Sequence, residues 1–244
     1  MQIQKKPSTY DGGNSLLDLL IAASSDDLID DAFVMRCDTG SVLLDSNEPI
    51  THVFFPLDMM ISTTTLMKDA SEVEVGSIGS EGMSGVQLML GIDHVPGKVI
   101  CQVSGTVVRL PAETFLKCME ASAPARTVML RYIQATINFL EISIACNALH
   151  SIGARCARWL MLTRDRVRRD DFGLTQEFLA MMLGVRRATV NSAAQELHES
   201  GAIRYSRGQV RIIDRAKLEH AACECYRLSV NRYNELLGQA PFGS

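Results

Sequence analysis

Residues 174–213 read LTQEFLAMMLGVRRATVNSAAQELHESGAIRYSRGQVRII, and this stretch decides the fold. Thr175 is a helix N-cap residue type, and Phe178 and Leu179 follow at the spacing of a buried face. Gly184 stands where that helix must end, because glycine takes the positive φ such an end commonly needs. Val185, Val190, Ala193, Ala194 and Leu197 then supply the inner face of a second helix. Gly201-Ala202-Ile203 closes it, and β-prone runs flank an Arg207-Gly208 turn. A short helix, a glycine turn, a second helix and a small β wing, in that order, predict a winged helix-turn-helix. The second helix of such a unit enters the major groove of DNA.

The residues left off the inner face suit that task. Arginine pairs bidentately with guanine, asparagine with adenine, and a threonine methyl packs on the thymine methyl. Arg186 and Arg187 oppose the dipole at the start of their helix, a placement that a merely solvated helix end leaves unexplained. The candidate DNA-contacting residues are Thr175, Gln176, Arg186, Arg187, Thr189, Asn191, Ser192 and, from the wing, Arg207. In the wing, Arg204, Arg207 and Arg211 alternate with apolar residues, which leaves them able to reach phosphate.

The charge is distributed to match. The 244 residues carry a net charge of −4, but residues 150–232 hold 15 Lys+Arg against 9 Asp+Glu, while residues 1–149 hold 9 against 18. An acidic half fused to a basic half suits a regulator whose first half does not touch DNA. No apolar run is long enough to span a membrane and residues 1–10 show no signal-peptide pattern, so a cytoplasmic location with no membrane partner is expected. The seven cysteines are odd in number and scattered, which reads as free thiols in a reducing compartment.

Ahead of the helix-turn-helix, residues 15–23 read as a short helix. Short β segments follow at 33–37, 41–44, 51–55, 60–67, 72–78, 99–103 and 106–110, a spacing that indicates a barrel or jelly-roll sandwich. Farther on, Leu130, Ile133, Ile137, Leu140, Ile144 and Asn147 recur at alternating steps of three and four. So narrow a two-position stripe favours the seam of a two-stranded coiled coil over a helix packed on its own domain. The expected fold is α+β: a mobile tail at 1–14, a double-stranded β-helix (jelly-roll) sensor at 15–120, and a dimerisation helix at 121–149. The winged helix-turn-helix follows at 150–228 and a C-terminal tail at 229–244.

With this order of parts the chain resembles the Crp/Fnr family of bacterial transcription regulators. Thr175, Gly184, Arg187, Thr189 and Val190 match the family's helix-turn-helix pattern, and HSIGARCARWL at residues 150–160 and CECY at residues 223–226 add to it. The resemblance covers roughly residues 15–228. It implies a sensor of cyclic-nucleotide-binding type and a homodimer on a near-palindromic site in double-stranded DNA, with RNA polymerase as a further partner.

The sequence departs from the family in three places. The recognition helix commonly reads Arg-Glu-Thr-Val-x-Arg, and here Ala188 and Ser192 replace two base readers. In the nucleotide cassette, residues 81–88 read EGMSGVQL, with Val86 where a ribose-binding glutamate belongs. Lys98 is the only cation near the place of the phosphate-binding arginine. The candidate effector pocket is therefore Gly82, Ser84, Gly85, Val86, Gln87 and Lys98, and a cyclic phosphate there lacks its bidentate partner. Thirdly, no cysteine cluster stands in the first 36 residues and the five histidines are isolated in sequence. Neither cyclic nucleotide, haem, iron–sulfur cluster nor other metal is expected as a cofactor. On this reading Cys223 and Cys225 lie on a helix, point to different faces and serve packing. A redox role for Cys146 or Cys156 rests on no more than neighbouring Arg155 and Arg158. No His-x-His set supports a cupin-type enzyme. The remaining alternatives are a protein-binding adaptor that keeps the helix-turn-helix as scaffold, and a regulator that needs no effector.

Overall fold

The computed structural model describes residues 10–24, 26–68 and 72–238. The first helix, α1 (Ser15–Ala23), is capped by Asn14, whose side chain accepts from the Leu17 amide. The same side chain donates to the Pro56 and Gly82 carbonyls, each at 2.8 Å, and is fully buried. The expected mobile tail at 1–14 is therefore corrected over residues 10–14. One asparagine there satisfies a helix end and two loop carbonyls, so the segment is pinned; residues 1–9 lie outside the described residues.

Two antiparallel sheets follow. One orders its strands β1 (Phe33–Cys37), β7 (Gly105–Pro111), β3 (His52–Pro56); the other orders them β2 (Val42–Leu44), β6 (Lys98–Val103), β4 (Met60–Leu66), β5 (Glu72–Ile78). Met35, Phe54, Met59, Ile61, Val99 and Cys101 form one buried cluster drawn from both sheets, as the alternating pattern of each strand demands. All seven β segments expected from the sequence are present, displaced by a residue or so at their ends.

The β-roll leads through α2 (Ala112–Ala121) into the 27-residue α3 (Ala123–Leu149), capped by the Ser122 hydroxyl. Ala125, Met129, Tyr132, Ala135 and Cys146 face inward along α3, while Leu130, Ile137 and Ile144 are 54, 44 and 70% exposed. The structure thus separates the inward face of α3 from Leu130, Ile137 and Ile144 of the three-and-four stripe, while Ile133 and Leu140 are half-buried. After Ser151 the chain enters α4 (Ile152–Val167), and residues 156–163 are buried on every side. This helix is the spine of the C-terminal half, with α5 (Gln176–Leu183), α6 (Arg187–Glu199), α7 (Arg215–Ala221) and α8 (Cys225–Leu237) packed around it.

Helix α8 corrects the expected C-terminal tail at 229–244 over residues 229–237; residues 239–244 lie outside the described residues. Tyr226, Ser229, Tyr233 and Leu237 recur at helical spacing and are buried, and α8 lies along α3. The Tyr233 hydroxyl donates to the Glu81 carbonyl in the β-roll. A division at residue 228 therefore cuts a helix that ties both halves together.

The two halves meet in a buried polar contact. Arg166 on α4, 3% exposed, donates to Glu81 at 2.8 Å and to the Ser77 hydroxyl at 2.6 Å, with its guanidinium 4.9 Å from the Phe139 ring centroid. The approach leaves no room for a side chain at Gly79, where a Cβ would stand 2.2 Å from the Arg166 Cβ.

Candidate nucleic-acid interface

The helix-turn-helix is assembled by local chemistry. The Thr175 hydroxyl accepts from the Phe178 amide at 3.2 Å and starts α5. Gly184 ends it at φ +63, and Val185 N–H returns to the Ala180 carbonyl at 3.1 Å. Arg155 on α4 donates to the Leu183 carbonyl at 2.7 Å, satisfying one of the last orphan carbonyls of α5. Val190, Ala193, Ala194 and Leu197 are at most 5% exposed and seat α6 on this frame. Small Ala193 and Ala194 let α6 approach α4 closely.

That seating leaves Arg186, Arg187, Ala188, Thr189, Asn191 and Ser192 exposed together at the N-terminal end of α6. Gln176 Oε1 accepts from Arg187 Nε at 3.2 Å, so a residue of α5 orients an arginine of α6 and leaves the two terminal guanidinium nitrogens free of that bond. Three side chains absent from the sequence-based set, Gln195, His198 and Tyr205, line one concavity with Gln176, Asn191 and Ser192. Gln195 and His198 fall four and seven residues after Asn191, so helical periodicity alone places them on its face.

The wing comprises β9 (Ile203–Ser206) and β10 (Gln209–Ile212), with Arg207 and Gly208 at φ +50 and +75. Two successive positive φ values are the hallmark of a type I′ hairpin turn. A third strand, β8 (Asp171–Gly173), pairs with β10 through Phe172 and Val210. It is absent from the strands expected from the sequence, because three residues are too few to show alternation. Arg204, Arg207 and Arg211 are exposed along the wing.

In the β-roll, Ser84, Gly85, Val86 and Gln87 line a cavity of about 270 Å³ closed on one side by Tyr132, Thr136, Phe139 and Leu140 of α3. Two of the expected pocket residues are corrected. Gly82 is packed against the Tyr132 ring, where a Cβ would meet the hydroxyl oxygen at 2.2 Å, and Lys98 lies at the surface 3.9 Å from Asp45. Among the described residues no lysine or arginine lines the cavity, and the buried Ser84 Oγ and Gln87 Oε1 have no hydrogen-bond partner. Hydroxyls and an amide do not fit a cyclic phosphate, which calls for a cation in a buried site.

The cysteines are also redistributed. Cys223 lies in the turn before α8, off any helix, so Cys223 and Cys225 do not diverge to different faces as expected. They meet Cys146 and His150 from the end of α3, with all four ligand atoms within 4.8 Å of one another. Histidines isolated in sequence are therefore not all isolated in space.

Comparison with known proteins bears on this geometry. A family model described as the Crp-like helix-turn-helix domain matches residues 154–221. Those residues are a Crp-like helix-turn-helix domain. Over 77–85% of its length the chain has the fold of Crp/Fnr regulators. It superposes on a CRP-family transcriptional regulator from Thermus thermophilus with a TM-score of 0.63 and 16% identity, covering 77% of this chain and 96% of that one. A putative regulator of the crp/fnr family from Eubacterium rectale gives 0.63 and 18%, covering 85% and 99%. FixK2 from Bradyrhizobium japonicum gives 0.61 and 13%, covering 79% and 98%. No curated protein matches the sequence. The expected α+β architecture of β-roll, long helix and winged helix-turn-helix is thus the observed one. Among the described residues no helix is long and apolar enough to cross a membrane.

Proposed function

We propose that this chain is a sequence-specific DNA-binding transcription regulator of the Crp/Fnr type, acting as a homodimer on a near-palindromic site. The observation that carries this reading is the exposed group on α6. Arg186, Arg187, Thr189, Asn191 and Ser192 stand clear of the core at the end of the helix that a Crp-like domain presents to DNA. Thr175, Gln176 and Arg207 flank them; Gln176 holds Arg187, and exposed Arg207 at the wing turn is read as a phosphate contact.

Support for the dimer comes from α3. Leu130, Ile137 and Ile144 form an apolar stripe facing solvent in a single chain, joined by exposed Asn147 and half-buried Ile133. A two-fold axis along such a stripe covers it with its own copy. Leu140 is turned partly inward and shares the sensor cavity, so the seam and the cavity have one residue in common. The β-roll is read as a sensor for something other than a conventional cyclic nucleotide, since its cavity offers neutral polar groups. Contact with RNA polymerase follows from the family resemblance.

Selection of bound sequences from random DNA, followed by titration of the enriched duplex at rising salt, tests the reading. A protein touching 6–10 phosphates loses about 10³–10⁵ in affinity between 50 and 200 mM salt. A recovered two-fold-related sequence with such a slope is expected. No enrichment, with binding indifferent to salt, refutes the regulator and leaves the scaffold alternative standing.

A further inference from the structure

The structure assigns a mononuclear metal site to Cys146, His150, Cys223 and Cys225, built for a thiophilic divalent cation of the zinc class. Cys146 and His150 are one helical turn apart at the end of α3, while Cys223 and Cys225 flank Glu224 at the start of α8. Cys146 Sγ lies 3.5 Å from Cys223 Sγ, and Cys225 Sγ lies 3.6 Å from His150 Nδ1. An ion about 2.3 Å from sulfur and about 2.0 Å from nitrogen places tetrahedral ligand atoms about 3.5–3.8 Å apart. The two closest pairs already stand near that spacing, and the outermost, within 4.8 Å, need to contract by about 1 Å. A multi-iron cluster holds its ligands farther apart than one ion does, which favours a single ion.

The surroundings are those of a ligand set. His150 Nε2 lies 3.2 Å from both carboxylate oxygens of Glu224. A carboxylate there keeps the proton on Nε2 and turns the Nδ1 lone pair toward the three sulfurs, the usual outer partner of a metal-bound imidazole. The three thiols are at most 8% exposed, whereas the His150 side chain is 20% exposed and opens a route for the ion. Three thiolates, a neutral imidazole and a divalent ion sum to one negative charge. Arg158 lies within electrostatic reach of all three sulfurs, 8% exposed, with its Nε unpartnered and one terminal nitrogen donating to Ser143. A buried cation beside the set offsets the charge that metal binding creates. Three protons leave to solvent as the ion enters.

The location gives the site a consequence. His150 is the C-cap of α3 and stands next to Ser151, where the chain turns into α4. Metal bound there staples the end of α3 to the start of α8, so it fixes the joint between the long helix and the helix-turn-helix domain.

The test is metal analysis of the full-length chain purified under argon with reductant, then apo protein titrated with Zn²⁺ or Co²⁺. The expected result is about one zinc per chain, and a cobalt form with the intense visible bands of a tetrahedral site and sulfur-to-metal charge transfer. Cys223→Ser should abolish the charge-transfer spectrum, while Cys118→Ser, on α2 and away from the cluster, should keep it. Should Cys223→Ser fail to fold, Glu224→Gln leaves all four ligands in place at an exposed position and is expected to weaken the metal about 10–100-fold. The assignment is overturned by a chain that takes up neither ion, by a Cys223→Ser protein with the parent spectrum, by a Glu224→Gln protein with undiminished affinity, by inorganic sulfide in the purified protein, or by a Cys146–Cys223 disulfide in its place.

Discussion

Glu74 is a buried carboxylic acid whose ionisation the fold opposes, and replacing it with glutamine should stabilise the protein at neutral pH. Its carboxyl sits on β5 where the β-roll meets the C-terminal half, and Ser62 Oγ lies 2.5 Å from Glu74 Oε2 and 2.6 Å from Gln102 Oε1. A serine hydroxyl has one proton and here faces two acceptor oxygens. A neutral Glu74 completes the relay by donating to Ser62, which then donates to Gln102. Burial pushes the Glu74 pKa from 4.5 to about 7, against the opposing pull of Ser62 and of the Arg166 cation. At ~1.4 kcal/mol for each tenfold, holding the ionised form costs about 3 kcal/mol. Because the folded pKa lies above the unfolded one, the folded state binds more protons between pH 4.5 and 7. Stability therefore falls as pH rises through that window, and the penalty is complete above it. Glutamine reproduces the neutral acid as a donor to Ser62 and escapes the titration. Urea unfolding of both proteins at fixed concentration should give no difference at pH 4.5 and an advantage for Glu74→Gln that grows to about 3 kcal/mol by pH 8. A constant difference across the range, of either sign, refutes the reasoning.

Arg187→Ala should cost about 1–3 kcal/mol on the selected DNA site and relax specificity there, measured by fluorescence anisotropy; an equal loss on random DNA makes Arg187 a phosphate anchor instead. Ile137→Lys places a charge in the centre of the exposed stripe on α3 and should yield monomers in sedimentation together with loss of tight operator binding. A variant that stays dimeric moves the interface elsewhere. Calorimetric titration with cyclic AMP or cyclic GMP should show no micromolar isotherm, since among the described residues no cation lines the β-roll cavity; a clear one-per-subunit curve overturns that reading of the pocket.

The parts of the fold that the sequence disclosed are those in which residue type and position answer a local physical demand. Thr175 caps, Gly184 takes a positive φ, and Val190 through Leu197 keep helical spacing, so α5 and α6 are legible without any neighbour. The strands of the β-roll alternate strongly enough to be located to within a residue or so. What stayed hidden depends on contacts far apart in the chain. Nothing local to Gly82 announces that Tyr132 will press on it from 50 residues away. The division at residue 228 failed because α8 begins with Cys225, a residue that does not announce a helix, and continues past the apparent end of the family resemblance. The cysteine–histidine cluster is the sharpest case. His150 is a single histidine after a long apolar helix, and its thiol neighbours, apart from Cys146, lie more than 70 residues on. Only the packing of α8 along α3 brings them together.

That packing also gives one helix three distinct surfaces. The outer face of α3 carries the stripe at Leu130, Ile137 and Ile144, its inner face closes the β-roll cavity through Tyr132, Thr136 and Phe139, and its end supplies Cys146 and His150. Phe139 is the point where these meet α4, because both Arg158 and Arg166 lie over its ring, at 5.4 and 4.9 Å. Two buried cations against one aromatic ring are held by its negative quadrupole and by burial, with Glu81 neutralising only Arg166. Any displacement of Phe139 from the cavity side would bear on the two arginines of the helix on which α6 is seated. Tightly packed interiors pass such a displacement on rather than absorb it. If the cavity takes a ligand, the face α3 shares with α4 is the connection through which it would act on α6, with a strength set by how differently that ligand binds alternative positions of the ring.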